Sequence, residues 1–314
     1  YSMSTQEKKH TLLKAIGLTA AAGAAAYGGY GYYIFRTFFD LSRSSLHTGG
    51  PESLPYGYGA RQEWLDHSDR QDVFIDSFDG LKLHGHTFTN HSDSHRWMIT
   101  VHDAGKDYHS LMDMIYEADH RGYNVLAIDQ RACGMSEGRY TSLGWVEHYD
   151  VISWVNWLVR NDSQAQIVLY GTGVGGDTVM NCVGDFMPKN VRAAIEDSGS
   201  AGVQETVLQG IRLMHKIDGK LFMPSVDMYL KQFLHFSMQD ISTKHQLQNA
   251  RIPVFFVHGG EDEIIPTSMV FDNFYSCSAV KEIYVVEGAA HLQCHKAEDY
   301  YQRIFNFVDT YINI

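Results

Sequence analysis

The sequence predicts an α/β protein with a mostly parallel sheet of eight strands and helices on both faces. Short apolar or alternating runs typical of strands recur along the chain and alternate with segments of helical periodicity. The first two runs flank Asp79-Gly80, a pair that favours a tight hairpin, whereas each later run is followed by a helix-like or loop segment. A hairpin followed by repeated strand–helix units indicates a mixed sheet that is parallel through its centre.

The strands and helices are assigned from these patterns in order. The eight predicted strands lie at 73–77, 81–88, 97–102, 123–129, 166–171, 191–197, 252–258 and 282–286. A strong helix is predicted at 142–159, where large apolar residues from Trp145 to Leu158 recur at helical spacing. Residues 200–250 interrupt the alternation with a Met- and Leu-rich helical pattern, longer than an ordinary connection. We expect this insertion to form a helical cap, the alternative being an additional helical layer.

Composition restricts the class of protein. The chain has 314 residues, 44% of them apolar, so it can bury a sizeable core. A net charge of −12 and the lack of a dense Lys/Arg cluster argue against a nucleic-acid partner, because phosphate binding needs a basic face. Four cysteines without a CxxC pair are too few for a disulfide scaffold.

The N-terminal region predicts a membrane anchor. Residues 15–35 are 21 consecutive positions without a charge, preceded by Lys8, Lys9 and Lys14. About 20 apolar residues suffice to span a bilayer, so this segment predicts a signal-anchor and membrane association. The basic flank would stay in the cytoplasm and place the rest of the chain outside the cell. Two alternatives remain: a signal peptide cleaved near 24–26, giving a secreted protein, or a helix packed on the body of a cytoplasmic protein.

The domain boundaries follow from these patterns. An anchor- or signal-like helix occupies 1–36, and an irregular linker rich in Gly, Ser and Arg occupies 37–70. The domain that carries the sheet occupies 71–314, with the cap inserted at about 200–250.

A glycine-rich turn at 171–176, of sequence GTGVGG, joins a predicted strand to a predicted helix. Strand, tight turn and helix are the setting of the G-x-S-x-G nucleophile elbow, with Gly173 in the position of the serine. The same glycines also match the G-x-G-x-x-G dinucleotide pattern, with Asp197 about where a ribose partner would lie. That match is weak, because the turn follows the fifth strand of the sheet rather than the first.

Two residues further along the chain favour the elbow. Asp262 follows the strand at 252–258, and His291 follows the strand at 282–286 in Gly-x-x-His. Elbow, acid and base in this chain order, with acid and base at the carboxyl ends of strands, form the pattern of a hydrolase triad. Dinucleotide binding does not require this acid and base, so the triad pattern favours the elbow interpretation.

These motifs together resemble the α/β-hydrolase family, in particular bacterial serine esterases of the serine-aminopeptidase-like branch. The resemblance extends over about residues 72–312 and includes the segment 129–138, which is similar to the family's DxRGxGxSxG turn, and Ser142-Leu143-Gly144-Trp145. It implies an α/β-hydrolase fold with a helical cap and hydrolysis of carboxylic esters through a serine.

The resemblance also implies roles for individual residues. His291 is the expected general base, because an imidazole titrates near neutrality, and Asp262 is expected to fix its tautomer. Backbone N–H groups of Val174 and Ala104 are the expected oxyanion hole. Asp103 stands where the family has glycine, which brings a carboxylate close to where negative charge develops. Asp197 is a rival acid in a less specific sequence context.

Gly173 has no side chain to attack a carbonyl, so we expect this chain to form no acyl-enzyme. Loss of a triad nucleophile lowers turnover by about a million-fold. Thr172 leaves the turn in another direction, and Ser198 is a remote substitute. Two origins fit a glycine here: an engineered Ser-to-Gly variant, which the otherwise complete triad favours, or a natural non-catalytic protein that kept its pocket.

The predicted function is therefore serine-type hydrolysis of a small-molecule ester or acyl substrate, inactive or nearly so in this chain. A peptidase or amidase of the same fold is an alternative, and a ligand-binding module is an alternative of another class. The sequence implies no metal and no organic cofactor.

Overall fold

The computed structural model describes residues 5–43 and 58–312. Its single sheet has eight strands in the order β1-β2-β4-β3-β5-β6-β7-β8. The strands are β1 Arg70–Asp76, β2 Lys82–Phe88, β3 Arg96–Val101, β4 Asn124–Ile128, β5 Gln166–Thr172, β6 Val191–Asp197, β7 Val254–Gly259 and β8 Lys281–Val286. β2 is antiparallel to both of its neighbours, and all the remaining pairs are parallel. The predicted eight-stranded, mostly parallel sheet is confirmed.

Ten helices accompany the sheet in the part of the chain that the structure describes. They are α1 Thr5–Phe39, α2 Tyr58–His67, α3 Met112–His120, α4 Glu147–Asn161, α5 Val174–Cys182, α6 Val203–His215, α7 Met223–Phe233, α8 Thr243–Asn249, α9 Ser268–Ser276 and α10 Tyr300–Val308. Short 3₁₀ turns at Tyr108–Leu111, Gly219–Phe222 and Met238–Asp240 lead into α3, α7 and α8.

Alternation along the strands builds a hydrophobic core on each face of the sheet. In β3, Met98 packs with Ile115 and the α10 residue Ile304 on one face. The next residue, Ile99, packs on the other face with Trp154 of α4 and Val179 of α5. All six side chains are fully buried. The two cores hold the central parallel strands in register, so the carboxyl ends of β5, β7 and β8 meet at one edge.

The helix predicted at 142–159 begins later than expected, at Glu147. Leu143 and Gly144 both have positive φ angles, which an α-helix does not accept. The Glu147 carboxylate accepts hydrogen bonds from the Ser142 and Gly144 backbone N–H groups and closes this preceding turn. The apolar spacing of the segment is a reliable helix signal, but the turn chemistry sets its start.

The N-terminal helix α1 ends against the helices of the predicted cap. Ile34 and Phe35 are fully buried in a cluster with Val226 and Leu230 of α7. Within residues 5–43 and 58–312, no helix is both long and apolar enough to cross a lipid bilayer, so the anchor and membrane association predicted over 15–35 gain no support.

The predicted irregular linker at 37–70 contains ordered elements. It includes the end of α1, a 3₁₀ turn at Leu41–Arg43 and helix α2, while residues 44–57 lie outside the described residues. The insertion at 200–250 is helical and without a strand, as predicted, and comprises α6, α7 and α8.

Candidate active site

The turn after β5 has the backbone geometry of a nucleophile elbow. Gly173 has φ 56° and ψ −123°, a conformation that strains any residue with a side chain, and α5 starts directly after it. Gly175 lies so close to β3 that an added Cβ would come within 2.0 Å of the Val101 carbonyl oxygen. The sequence pattern of this turn therefore reflects a sharp strand-to-helix reversal, which projects residue 173 beyond the edge of the sheet.

The Asp103 carboxylate occupies the space beside Gly173. A Cβ built on Gly173 would lie 2.5 Å from Asp103 Oδ1 and 2.7 Å from its Cγ. The same Oδ1 accepts a hydrogen bond of 2.9 Å from the backbone N–H of Val174, the first expected oxyanion donor. Asp103 therefore fills the space that a side chain at residue 173 would need, and it occupies the N–H of Val174 that is the expected oxyanion donor.

The second expected donor, Ala104, lies in the turn that follows β3. This turn is closed by a hydrogen bond from the Lys106 N–H to the Asp103 carbonyl. The His102 ring before it is fully buried, and its Nε2 accepts a hydrogen bond from the Gln130 N–H. Because Asp103 contacts Val174, the turn carrying Ala104 lies beside the elbow.

The structure brings Asp262 and His291 together. His291 Nδ1 lies 2.7 Å from Asp262 Oδ2, although the two residues follow different strands. Asp262 Oδ1 accepts hydrogen bonds from the backbone N–H groups of Ile264 and Ile265, which fix the carboxylate. Burial opposes ionisation of Asp262, but hydrogen bonds from His258 and His291 outweigh it and hold the pKa of its carboxyl well below the ordinary value. The acid is therefore charged, and the His291 side chain is about a fifth exposed.

The Asp262–His291 pair and the elbow share one neighbourhood. Asp177, one turn into α5, is influenced electrostatically by both Asp103 and His291. Burial, reinforced by the Asp103 charge, raises the pKa of Asp177 to about 7 against the hydrogen bonds from Ser200. Sequence reasoning missed this buried carboxyl, and only its place one turn after the elbow could have indicated it.

The rival residues are engaged elsewhere. Asp197 accepts hydrogen bonds from the Tyr300 hydroxyl at 2.6 Å and from the Ser198 hydroxyl at 2.7 Å. Both Asp197 and Ser198 are buried, so Ser198 cannot meet a substrate without rearrangement. Thr172 is still part of β5, before the turn. None of these three side chains takes the place of a nucleophile at residue 173.

The arrangement defines what chemistry the site allows. A charged carboxylate orients an imidazole, and an elbow N–H points at a position where charge would develop, which are the parts of an acyl-transfer site. Residue 173 at the elbow is glycine and supplies no hydroxyl. A ligand carbonyl could enter the oxyanion position only if the Asp103 carboxylate moved away from it.

The sheet order, the elbow on β5 and the flanking helices define an α/β-hydrolase fold. Among solved structures, the chain is similar to the esterase Pf2001 from Pyrococcus furiosus, with a TM-score of 0.65 and 23% identity, covering 78% of this chain and 94% of that one. It is also similar to Est1E from Butyrivibrio proteoclasticus, solved with ferulic acid, with a TM-score of 0.57 and 16% identity over 76% of this chain and 98% of that one.

The curated relatives do not add an activity. The uncharacterized protein YqkD of Bacillus subtilis (strain 168) is 22% identical over 251 residues, which are 79% of this chain and 82% of the relative. No protein-family profile matches the chain. At these identities the similarity establishes the fold alone. The similar solved structures are esterases and other α/β hydrolases.

Proposed function

We propose that the chain carries the site of a serine-type carboxylic ester hydrolase whose acyl-transfer step is blocked at residue 173. Two observations support the proposal: the Asp262–His291 pair, 2.7 Å apart, and a turn with the elbow angles φ 56° and ψ −123° at Gly173. With a hydroxyl at that position, His291 would accept its proton and Val174 would donate to the oxyanion. The substrate class is a small-molecule ester, and helices α6 and α7 are the proposed cap over it.

Two residues, rather than one, separate this chain from an active hydrolase. Gly173 removes the nucleophile, and Asp103 places a carboxylate on the Val174 donor. A negative group in that position opposes a second negative charge on the substrate oxygen. We therefore expect restoration of activity to need both Gly173→Ser and Asp103→Gly, a pair called below the two-residue variant.

The test compares the unsubstituted protein with the two-residue variant on p-nitrophenyl butyrate and on the matched p-nitroanilide. The proposal predicts hydrolysis of the ester by the variant and only background by the unsubstituted protein. Cleavage of the anilide at a similar rate would assign the site to amides instead. Ester hydrolysis that persists unchanged when His291→Ala is added to the variant would overturn the proposal.

A second candidate function is a natural ligand-binding module without catalysis. Asp103 favours it, because this residue fits the space left by glycine and satisfies the Val174 N–H. A single engineered exchange at residue 173 would not account for a complementary residue on another loop. If the two-residue variant folds, as judged by its thermal unfolding, and remains inactive on both substrates, this candidate replaces the first.

A further inference from the structure

Two histidines and an aspartate face one another on the outer hairpin of the sheet, outside the candidate active site. His84 and His86 are two residues apart on β2, so their side chains project from the same face of that strand. Asp72 of β1 lies directly opposite His86 in the antiparallel register. Strand geometry therefore places all three side chains on one face of the hairpin.

The distances suit a shared metal ion. Asp72 Oδ1 lies 2.7 Å from His86 Nδ1 and 3.4 Å from His84 Nε2. The three atoms all lie within 4.8 Å of one another. Ligands held at about 2.0–2.1 Å in a tetrahedral zinc site are roughly 3.3 Å apart, so only small side-chain movements are needed to surround an ion.

His86 has an unsatisfied nitrogen at the centre of this cluster. The residue is only 8% exposed, and Nδ1 makes no hydrogen bond. Asp72 Oδ1 is close to Nδ1 but does not approach it in the direction of a hydrogen bond. A buried nitrogen without a partner costs about 1–3 kcal/mol, which a bound cation would relieve.

Asp129 orients the second histidine. Its Oδ2 lies 2.7 Å from His84 Nδ1, and it is fixed further by the Met135 N–H at 3.0 Å. This contact places a proton of His84 on Nδ1. Nε2 faces Asp72 Oδ1 at 3.4 Å, and a bound ion would take the place of that hydrogen bond. A carboxylate behind a ligating imidazole is the usual support of a histidine that binds zinc.

We propose that Asp72, His84 and His86 bind one divalent transition-metal ion of the zinc class, with Asp129 positioning His84. Two imidazoles and one carboxylate favour such an ion over Mg²⁺ or Ca²⁺, which prefer oxygen ligands. Asp72 is exposed, so the fourth position faces solvent and takes water. Binding would fasten the outer strand β1 to β2 and stabilise the folded state.

The test is calorimetric titration of the full chain with ZnCl₂ after removal of metal by EDTA and desalting. We expect one site, at least tenfold weaker binding in Asp72→Ala and His86→Ala, and about 10–100-fold weaker binding in Asp129→Asn. MgCl₂ should give no binding. The matched control is His95→Ala, which removes a histidine paired with Asp162 at the surface and should leave the zinc affinity unchanged.

Two further measurements keep the test decisive. Zn²⁺ should raise Tm in the unsubstituted protein and in His95→Ala but not in Asp72→Ala, whose exposed side chain can be removed without disturbing the core. Co²⁺ in place of Zn²⁺ should give the visible absorption of a tetrahedral site, and Asp129→Asn should alter it. Equal zinc affinity in the unsubstituted protein and in Asp72→Ala, or absence of binding in both, would overturn the proposal.

Discussion

Replacing Gly173 with serine alone should restore little activity, because Asp103 stands in the way. The added Cβ would lie 2.5 Å from Asp103 Oδ1 and 3.2 Å from its Cβ, whereas ordinary contacts begin near 3.4 Å. The carboxylate must either rotate away, losing its 2.9 Å bond to the Val174 N–H, or displace the serine from its productive position. The two substitutions Gly173→Ser and Asp103→Gly are thus expected to act as a coupled pair.

The size of the coupling follows from the oxyanion donor. Loss of one such donor lowers kcat by about 10²–10³, or about 2.7–4 kcal/mol. We therefore expect kcat/KM of Gly173→Ser on p-nitrophenyl butyrate to be at least about 100-fold below that of the two-residue variant. Asp103→Gly alone should stay at background, since it still lacks the nucleophile.

A third substitution separates volume from charge. Asp103→Asn keeps the size of the side chain and removes its charge, so it should relieve the charge repulsion but not the steric overlap, and Gly173→Ser with Asp103→Asn should fall between Gly173→Ser alone and the two-residue variant in activity. Thermal unfolding of every variant serves as the folding control. If Gly173→Ser alone is as active as the two-residue variant, the steric reasoning about Asp103 is refuted.

Three other predictions concern single residues. Asp262→Asn, introduced into the two-residue variant, should lower kcat by about 10⁴ with little change in KM, because His291 loses the partner that sets its tautomer. A higher KM with an unchanged kcat would contradict this role. Burial raises the pKa of Glu196 to about 8, so the contribution of this residue to stability should be full below about pH 4.5 and should fall by about 1.4 kcal/mol per pH unit until about pH 8. Asp177 adds a slope of the same sign only up to about pH 7, so Glu196→Gln should reduce the slope most clearly between pH 7 and 8 in urea unfolding, and an unchanged slope in that window would exclude Glu196 as its source. Despite opposing burial, hydrogen bonds from Arg139 and Ser42 lower the pKa of Asp40 to about 2, so its contribution should be complete above about pH 4 and lost as the pH falls towards 2. Asp40→Asn should reduce the free energy of unfolding by roughly 1–3 kcal/mol at pH 7 and by roughly half as much at pH 3, and an equal effect at both would refute the ionic contribution.

Much of the fold is readable from the sequence because its signals are local. The hairpin pair Asp79-Gly80 and the apolar runs of the strands locate all eight strands within a few residues. Hydrophobic periodicity does not predict the late start of α4, because that start depends on the hydrogen bond from the Ser142 N–H to the Glu147 carboxylate. The packing of Phe35 against α7 cannot be predicted from the sequence either, because an uncharged helix has the same sequence pattern whether it packs against lipid or protein.

The candidate site, like the fold, is predictable from the sequence only in part. Chain order and sequence context predict Asp262, His291 and the elbow, and the structure brings the first two together. That Asp103 stands where the resembling family has glycine is visible in the sequence, but its place beside Gly173 depends on how β3 and β5 approach each other. The metal cluster is similar: His84-x-His86 is visible as an alternating pair, whereas its meeting with Asp72 needs the hairpin register.

The most direct test of the central claim is intact-mass analysis after treatment with a fluorophosphonate. The claim is that an acyl-transfer site lacks only its nucleophile and holds the Asp103 carboxylate in that space. It predicts no adduct on the unsubstituted protein and a single adduct, at residue 173, on the two-residue variant. A stoichiometric adduct on the unsubstituted protein would reveal another nucleophile and contradict the claim, and so would a folded two-residue variant that takes no label.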